Sequence, residues 1–167
     1  MTDLVLLNGL PGVGKSTVAA AWAARRPGTL CLDVDVVRTL VSGPAGETAG
    51  PARALGLAMA AEHLRGGRDV VVPQLVARSD QVRRFADVAQ GAGARLAHVV
   101  LEAPSEVVAE RVRADAAPHR ADLDPARTAA HAAGLATVVR LPGVLRLPAV
   151  DVTRTVDALD RLLAEGR

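Results

Sequence analysis

The chain has 167 residues, half of them hydrophobic, which is enough for one domain with a buried core, and we expect a single domain spanning residues 1–167. Its formal charge is only +2, so the pI near 9.4 is weak evidence for a nucleic-acid partner, because such proteins usually show a clustered basic stripe. A single cysteine excludes an internal disulfide, no apolar run approaches membrane-spanning length, and the first strand begins too early to leave room for a signal peptide, so we expect a cytoplasmic protein.

The first predicted element is the apolar run Leu4–Leu7, which leads into a glycine-rich loop and then into the helix-forming segment Ser16–Arg25. The loop has the spacing Gly-x-x-x-x-Gly-Lys-Ser, and a strand, such a loop and a helix in this order form a phosphate-binding P-loop. Backbone N–H groups turn inward around the anion, and the helix adds the positive end of its dipole. The predicted phosphate-binding residues are Gly12, Val13, Gly14, Lys15, Ser16 and Thr17.

Lys15 is predicted to reach the β- and γ-phosphates of a nucleotide, and the Ser16 hydroxyl to bind Mg²⁺. The alternative is a glycine-rich turn that fits the pattern by chance. Composition favours the site, because Lys15 is the only lysine among 20 basic residues. A compact ammonium and a planar guanidinium are not interchangeable, so a lone lysine at this position indicates a role that arginine does not fill.

Apolar runs and helical segments alternate along the rest of the chain, which predicts a parallel sheet covered on both faces. The strand-like runs are Leu4–Leu7, Thr29–Leu32, Val70–Val72, Leu96–Leu101 and Val144–Val150. The helix-like segments are Ser16–Arg25, Val36–Val41, Ala52–Arg65, Ser79–Gln90, Ser105–Ala114 and Thr153–Glu165. We predict an α/β P-loop NTPase sandwich of three layers whose five-stranded parallel sheet has the order 2-3-1-4-5.

Two regions lack a clear period. Ser42–Pro51 is rich in glycine and proline and is predicted to be a loop near the substrate. The region from Ala114 to about Gly143 holds several prolines and arginines, with a short helix predicted around Pro125–Ala133. Cys31 lies in an apolar segment and is expected to be a small core residue.

Two carboxylates and an arginine, Asp33, Asp35 and Arg38, follow the second strand. Ligands of parallel α/β sheets bind at the carboxyl ends of strands, so these side chains should face the P-loop. A kinase needs a carboxylate to accept the proton of the acceptor hydroxyl and ligands for Mg²⁺. If the segment is extended, Asp33 and Asp35 point the same way; alternatively, Asp35 is only the N-cap of the next helix.

The P-loop followed by Asp33-x-Asp35-x-x-Arg38 resembles the small P-loop kinases, among them polynucleotide kinase, adenylylsulfate kinase, chloramphenicol phosphotransferase and tunicamycin-resistance proteins. The resemblance implies that Asp35 is the base on the acceptor hydroxyl and that Arg38 contacts the acceptor. Lys15 is the second predicted catalytic residue, and Ser16 and Asp33 are the predicted metal ligands. It also suggests an antibiotic or another secondary metabolite as acceptor.

After the third strand, Pro73-Gln74 stands where many P-loop enzymes carry an Asp that holds Mg²⁺ through water. A Val-Pro pair at this position is similar to the tunicamycin-resistance proteins. Gln74 is therefore a candidate for contact with the acceptor or the γ-phosphate; alternatively, it only ends a strand.

The segment around residues 111–127 resembles the lid of the same kinases, whose arginines close over the phosphates. The candidates are Arg111, Arg113 and Arg120. In a chain with 19 arginines, a solvent-exposed helix face explains them equally well.

The sequence thus predicts a phosphotransferase that uses ATP or another NTP with Mg²⁺ to phosphorylate a hydroxyl of a small molecule. A polynucleotide or nucleotide kinase is the alternative within enzymes, and the scarcity of aromatic side chains argues against it. A nucleotide-dependent switch without phosphotransfer is the alternative from another class.

Overall fold

The computed structural model describes residues 1–114 and 125–166, which form a five-stranded, all-parallel sheet. The strands are β1 (Asp3–Asn8), β2 (Leu30–Cys31), β3 (Val70–Pro73), β4 (Arg95–Glu102) and β5 (Leu145–Pro148). Their order across the sheet is β2-β3-β1-β4-β5, so the predicted topology is confirmed.

Seven helices connect the strands in the described part of the chain. They are α1 (Lys15–Ala24), α2 (Val34–Thr39), α3 (Ala45–Arg65), α4 (Ser79–Gly91), α5 (Ser105–Ala114), α6 (Pro125–Val138) and α7 (Val152–Glu165). None of the helices in the described ranges is long and apolar enough to cross a membrane.

Strand β1 is the centre of the sheet and is fully buried. Successive side chains of a strand point to opposite faces, so Leu4 and Leu6 join one hydrophobic core while Val5 and Leu7 join the other. The first core includes side chains of α2, α3, α4 and α6, and the second includes side chains of α1 and α7, with Trp22 fully buried in the second. Helices therefore cover both faces of the sheet, as a parallel sheet requires.

The prediction of a loop over Ser42–Pro51 was wrong, because α3 begins at Ala45 and contains Pro51 in its interior. Glycine and proline lower helix propensity, but tertiary packing overrides propensity here. Thr48 and Ala52 are buried on the inner side of the helix, whereas Pro51 faces solvent.

The expectation for Cys31 was also wrong. Strand β2 has only two residues and lies at the edge of the sheet, which leaves Cys31 exposed. An apolar segment is buried on both faces only where neighbouring strands and helices cover it.

Candidate functional site

The glycine-rich loop, Gly9–Thr17, connects β1 to α1 at the carboxyl edge of the sheet. Gly9, Gly12 and Gly14 have φ angles of +143°, +83° and +102°, a region that side chains with a Cβ rarely adopt. A Cβ on Gly9 would lie 2.8 Å from the carbonyl oxygen of Leu101, so a side chain is excluded there by contact as well. The loop backbone therefore depends on glycine at this position.

Lys15 is the first residue of α1, and Gly14 is the N-cap. The Lys15 ammonium donates to the carbonyl oxygens of Gly9 (2.9 Å) and Leu10 (3.0 Å), so it folds back over the loop. Val13 is buried and anchors the loop to the core, whereas Ser16 and Thr17 are exposed on the first turn of α1. This places the ammonium and a helix N-terminus at one concave site, which is a suitable site for phosphate.

The structure brings Ser16 and Asp33 together. The Ser16 hydroxyl donates to Oδ2 of Asp33 at 3.4 Å, although 17 residues separate them in sequence. Asp33 is also the N-cap of α2, since its Oδ1 accepts from the backbone N–H of Asp35 at 2.9 Å. One oxygen of this carboxylate thus fixes the helix while the other faces the glycine-rich loop.

Asp35 does not lie on an extended segment beside Asp33, because α2 begins at Val34 and puts Asp35 in its first turn. The predicted N-cap role also belongs to Asp33 and not to Asp35. Asp35 has a side chain that is 73% exposed, and its carboxylate lies 3.8 Å from the guanidinium of Arg38, one helical turn away. The Asp35 carboxylate is therefore open to solvent with a single loose cationic neighbour among the described residues.

Arg111 reaches the glycine-rich loop from α5. Its guanidinium donates to the carbonyl oxygen of Val13 (3.1 Å) and to that of Val150 (3.2 Å), which follows β5. A Cβ on Gly14 would lie 3.6 Å from the same guanidinium. The side chain of Arg113 and all of Arg120 lie outside the described residues, so Arg111 alone of the three predicted lid arginines is placed.

A buried polar junction, formed by Asn8, Val76 and His98, holds the end of β1. The Asn8 side-chain oxygen accepts from the backbone N–H groups of Gly9 (2.8 Å) and Val76 (2.9 Å), and its amide nitrogen donates to the Val76 carbonyl (2.8 Å). The same nitrogen lies 3.1 Å from Nε2 of His98. Nε2 of His98 therefore accepts from the Asn8 amide, which means that the imidazole is neutral and carries its proton on Nδ1. Burial lowers the pKa of His98 to about 4.

Gln74 follows β3, and its backbone N–H donates to the Leu7 carbonyl at 3.0 Å, which extends the sheet pairing by one residue. Its side-chain oxygen is buried and has no hydrogen-bond partner within the described part of the chain. Gln74 lines an open cavity between the sheet and helices α2, α3 and α4, whose enclosed volume is about 20 Å³. We call this cavity the arginine pocket; its lining residues are Leu32, Val34, Arg53, Gly56, Leu57, Gln74, Gln81, Arg84 and Phe85.

The arginine pocket lies at the same edge of the sheet as the glycine-rich loop, although no residue of the loop lines it. Leu32 and Val34 flank Asp33 in the chain, and Asp33 is the residue that accepts from Ser16. Gln74 occupies the carboxyl end of β3, the strand that pairs with β1. The two sites therefore share the carboxyl edge of the sheet.

The residues present fit a magnesium–nucleotide complex. Mg²⁺ prefers oxygen ligands and usually takes one or two from the protein, with waters and phosphate oxygens supplying the rest. Ser16 and Asp33 offer a hydroxyl and a carboxylate side by side. No group of three or more His, Cys, Asp or Glu residues that could hold a metal occurs in residues 1–114 and 125–166.

A parallel 2-3-1-4-5 sheet with a glycine-rich loop after its central strand defines the P-loop kinase fold. The family model described as AAA domain matches residues 4–141, and the chain belongs to that family. No curated protein sequence matches the chain.

Solved structures with this fold include a tunicamycin resistance protein of Deinococcus radiodurans, with 20% identity, 98% of this chain and 96% of that chain covered, and a TM-score of 0.67. A proposed kinase of Chloroflexus aurantiacus has 18% identity, with 99% and 98% covered and a TM-score of 0.71. A gluconokinase of Sinorhizobium meliloti has 20% identity, with 96% and 93% covered and a TM-score of 0.61. The resemblance to small P-loop kinases that the sequence indicated is confirmed, and at these identities the likeness establishes the fold.

Sequence reasoning missed several residues of the site. Asn8 had a visible signal, because it is a polar residue at the end of an otherwise apolar buried strand. Arg53 and Arg84 had none, since they are two of 19 arginines and lie far apart in the sequence. Only the packing of α3 and α4 against the sheet brings them to one pocket.

Proposed function

We propose that the protein is a phosphotransferase that uses Mg-ATP to phosphorylate a hydroxyl group of a small molecule. The observation that carries the proposal is the glycine-rich loop with the Ser16 hydroxyl bonded to Asp33 at the carboxyl edge of the sheet. The kinases among the solved structures of the same fold support it, as does membership of the AAA domain family. Another NTP would fit the same loop, because every nucleoside triphosphate presents the same phosphate groups to a P-loop.

The loop amides and Lys15 would hold the phosphates, and the ammonium would exchange the Gly9 and Leu10 carbonyls for phosphate oxygens. Ser16 and Asp33 would hold Mg²⁺, which, when bound, neutralises charge on the phosphates. Arg111 would lie over the nucleotide, a role supported by its hydrogen bonds to the carbonyl oxygens of Val13 and Val150. The predicted roles of Arg113 and Arg120 concern residues that are not described.

Asp35 would accept the proton of the acceptor hydroxyl as its oxygen bonds to the γ-phosphorus and the bond to ADP breaks. Its exposure leaves it free of strong partners, and its position in the first turn of α2 keeps it next to Asp33. Arg38 would contact the acceptor once the loose pair with Asp35 opens. Gln74 and the arginine pocket would receive the acceptor, since Gln74 stands at the carboxyl end of β3, the strand that pairs with β1.

The test is ADP release from Mg-ATP with and without a panel of hydroxylated antibiotics, sugars, nucleosides and an oligonucleotide with a 5′-hydroxyl. We expect one class to stimulate release. Asp35→Asn should lower the stimulated rate by about 10²–10⁴-fold while ATP affinity stays nearly unchanged. Lys15→Met should lower the rate by about 10²–10³-fold and weaken ATP binding as well.

Asp157→Asn is the matched control, because this exposed carboxylate on α7 pairs with Arg25 on the opposite face of the sheet. Loss of ATP binding in Asp35→Asn would assign Asp35 to the metal. A flat response to every acceptor from a protein that binds ATP would contradict phosphotransfer and favour a nucleotide-dependent switch. Labelling of the oligonucleotide would identify a polynucleotide kinase.

A further inference from the structure

We infer that the arginine pocket selects an acceptor that combines an apolar body with an anionic group, a carboxylate or a phosphate, in addition to the hydroxyl that is phosphorylated. This inference rests on the proposed function, because it names the substrate class of the same site. It is carried by the charges, the apolar walls and the unpartnered amide of the pocket.

The charge of the pocket is positive. Arg53 comes from α3 and Arg84 from α4, and no acidic side chain lines the cavity. Neither guanidinium makes a hydrogen bond or an ion pair within the described part of the chain. The nearby carboxylates Asp33 and Asp35 already contact Ser16 and Arg38, respectively.

An unpaired arginine on an open surface does not by itself indicate an anion-binding site. Arg83 and Arg84 are both exposed on α4, but only Arg84 lines the pocket. Arg53 is half-buried against an apolar wall, where a guanidinium gains more from an anion than in bulk water. Two guanidinium groups from separate helices can grip one carboxylate or phosphate from two sides.

The walls of the pocket are apolar. Leu32, Val34, Leu57 and Phe85 form most of the lining, and Gly56 leaves space because a Cβ there would lie 3.3 Å from Val34. A fully polar molecule such as a small polyol would leave these walls without contact. An aliphatic or alicyclic body would bury them, which stabilises the complex by roughly 25 cal/mol per Å² of apolar surface removed from water.

Gln74 supplies the group that would meet the hydroxyl side of the acceptor. Its buried side-chain oxygen has no partner among the described residues, and a buried unpaired acceptor is costly unless a ligand or water donates to it. The oxygen has no solvent-accessible surface in this conformation, so the Gln74 side chain would turn before a hydroxyl of the acceptor donates to it. The pocket therefore offers an apolar wall, two cations and one hydrogen-bond acceptor to a single molecule.

The experiment measures binding by calorimetry to the full chain with the glycine-rich loop occupied by a non-hydrolysable ATP analogue. The probes are matched pairs: β-hydroxyoctanoate with β-hydroxyoctanamide, glycerate with glyceramide, and glycerol phosphate with glycerol. We expect β-hydroxyoctanoate to bind at least about tenfold more tightly than its amide, because hydrogen bonds to a charged group are the stronger ones. It should also bind more tightly than glycerate, which lacks the apolar chain.

Arg53→Gln and Arg84→Gln should each reduce the preference for the acid over the amide, and the double variant should abolish it. Arg83→Gln is the matched control on α4 and should keep the preference. The glycerol phosphate pair shows whether a phosphate is accepted as well as a carboxylate. Thermal unfolding of each variant verifies that the fold is retained, which is expected because neither pocket arginine is fully buried.

Three outcomes would overturn the inference that the acceptor carries an anionic group. They are equal affinity for the acid and the amide, a preference for the acid that survives the double substitution, and no binding of any anionic probe. If glycerate binds as tightly as β-hydroxyoctanoate, the inference that the acceptor has an apolar body is wrong. Because binding is measured without transfer, an anion-selective pocket in a protein that never releases ADP would contradict the proposed function alone.

Discussion

The glycine-rich loop and the arginine pocket lie at the same edge of the sheet, but they are built in different ways. The loop comes from nine consecutive residues, and its shape is set by backbone conformations at Gly9, Gly12 and Gly14. The pocket comes from residues between Leu32 and Phe85 on several elements, and its shape is set by how helices pack on the sheet. A local site of this kind is specified by residue type, whereas an assembled one is specified by packing.

The proposed function gives a reason for this difference between the loop and the pocket. A nucleotide presents the same phosphates to every P-loop enzyme, so a fixed local cradle suffices. Acceptors differ between enzymes, and a pocket formed by side chains on separate helices can change without altering the cradle. The two regions should therefore respond differently to the same kind of substitution.

The largest effect is expected from Gly9→Ala in the glycine-rich loop. The new Cβ would meet the Leu101 carbonyl oxygen at 2.8 Å, and the φ of +143° would become strained. Strain and overpacking together should lower the free energy of unfolding by about 4 kcal/mol and abolish ATP binding. Urea unfolding and calorimetric ATP titration measure the two effects, and wild-type stability with intact ATP binding would contradict the account of the loop.

The next largest effect is a pH dependence of stability, and it arises at the buried polar junction of Asn8, Val76 and His98. Burial lowers the pKa of His98 from an ordinary 6.5 to about 4, so the unfolded chain binds a proton more readily than the folded one between these values. Stability should therefore fall as the pH drops from about 6.5 towards 4, by about 3 kcal/mol from this residue. A protonated Nε2 could no longer accept from Asn8, so the junction itself would open.

Urea unfolding at several pH values measures this slope in the wild-type protein and in His98→Gln. The glutamine amide does not titrate, so the variant should lack the part of the slope that His98 contributes. The carboxylates of the chain contribute equally to the pH dependence of both proteins, so the difference between the two curves measures the contribution of His98. Identical pH dependence in the two proteins would show that His98 is not held neutral.

The smallest effect is expected from Gly56→Ala, the corresponding substitution in the arginine pocket. Alanine favours the helix by up to about 1 kcal/mol, and the contact of its Cβ with Val34 at 3.3 Å offsets that gain, so stability should change by less than about 1 kcal/mol. ATP affinity should stay unchanged while the KM for the acceptor rises a few-fold, because the methyl group occupies pocket space. A loss of ATP affinity comparable to that of Gly9→Ala would mean that the two regions are not separate.

Much of the fold could be predicted from the sequence, because continuous apolar runs and helical periods follow local rules. The strand order is confirmed, and the bounds of α5 were predicted to the residue. The prediction errors occur where contacts with distant parts of the chain determine the local structure. Helix α3 extends through Pro51 because its inner side packs on the sheet, and Cys31 is exposed because β2 is a short edge strand. The start of α2 at Val34 moved the cap from Asp35 to Asp33, because the side chain of Asp33 accepts from the backbone of the first turn.

The sequence by itself determined the shape of the glycine-rich loop, since glycines, one lysine and a helix start act through backbone geometry that needs no distant partner. It also indicated the family, through the same residues. Only the tertiary structure decided that Ser16 meets Asp33, that Arg111 reaches Val13, and that Arg53 and Arg84 share one pocket. Such contacts between residues far apart in the chain depend on how helices dock on the sheet, and no local pattern encodes that docking.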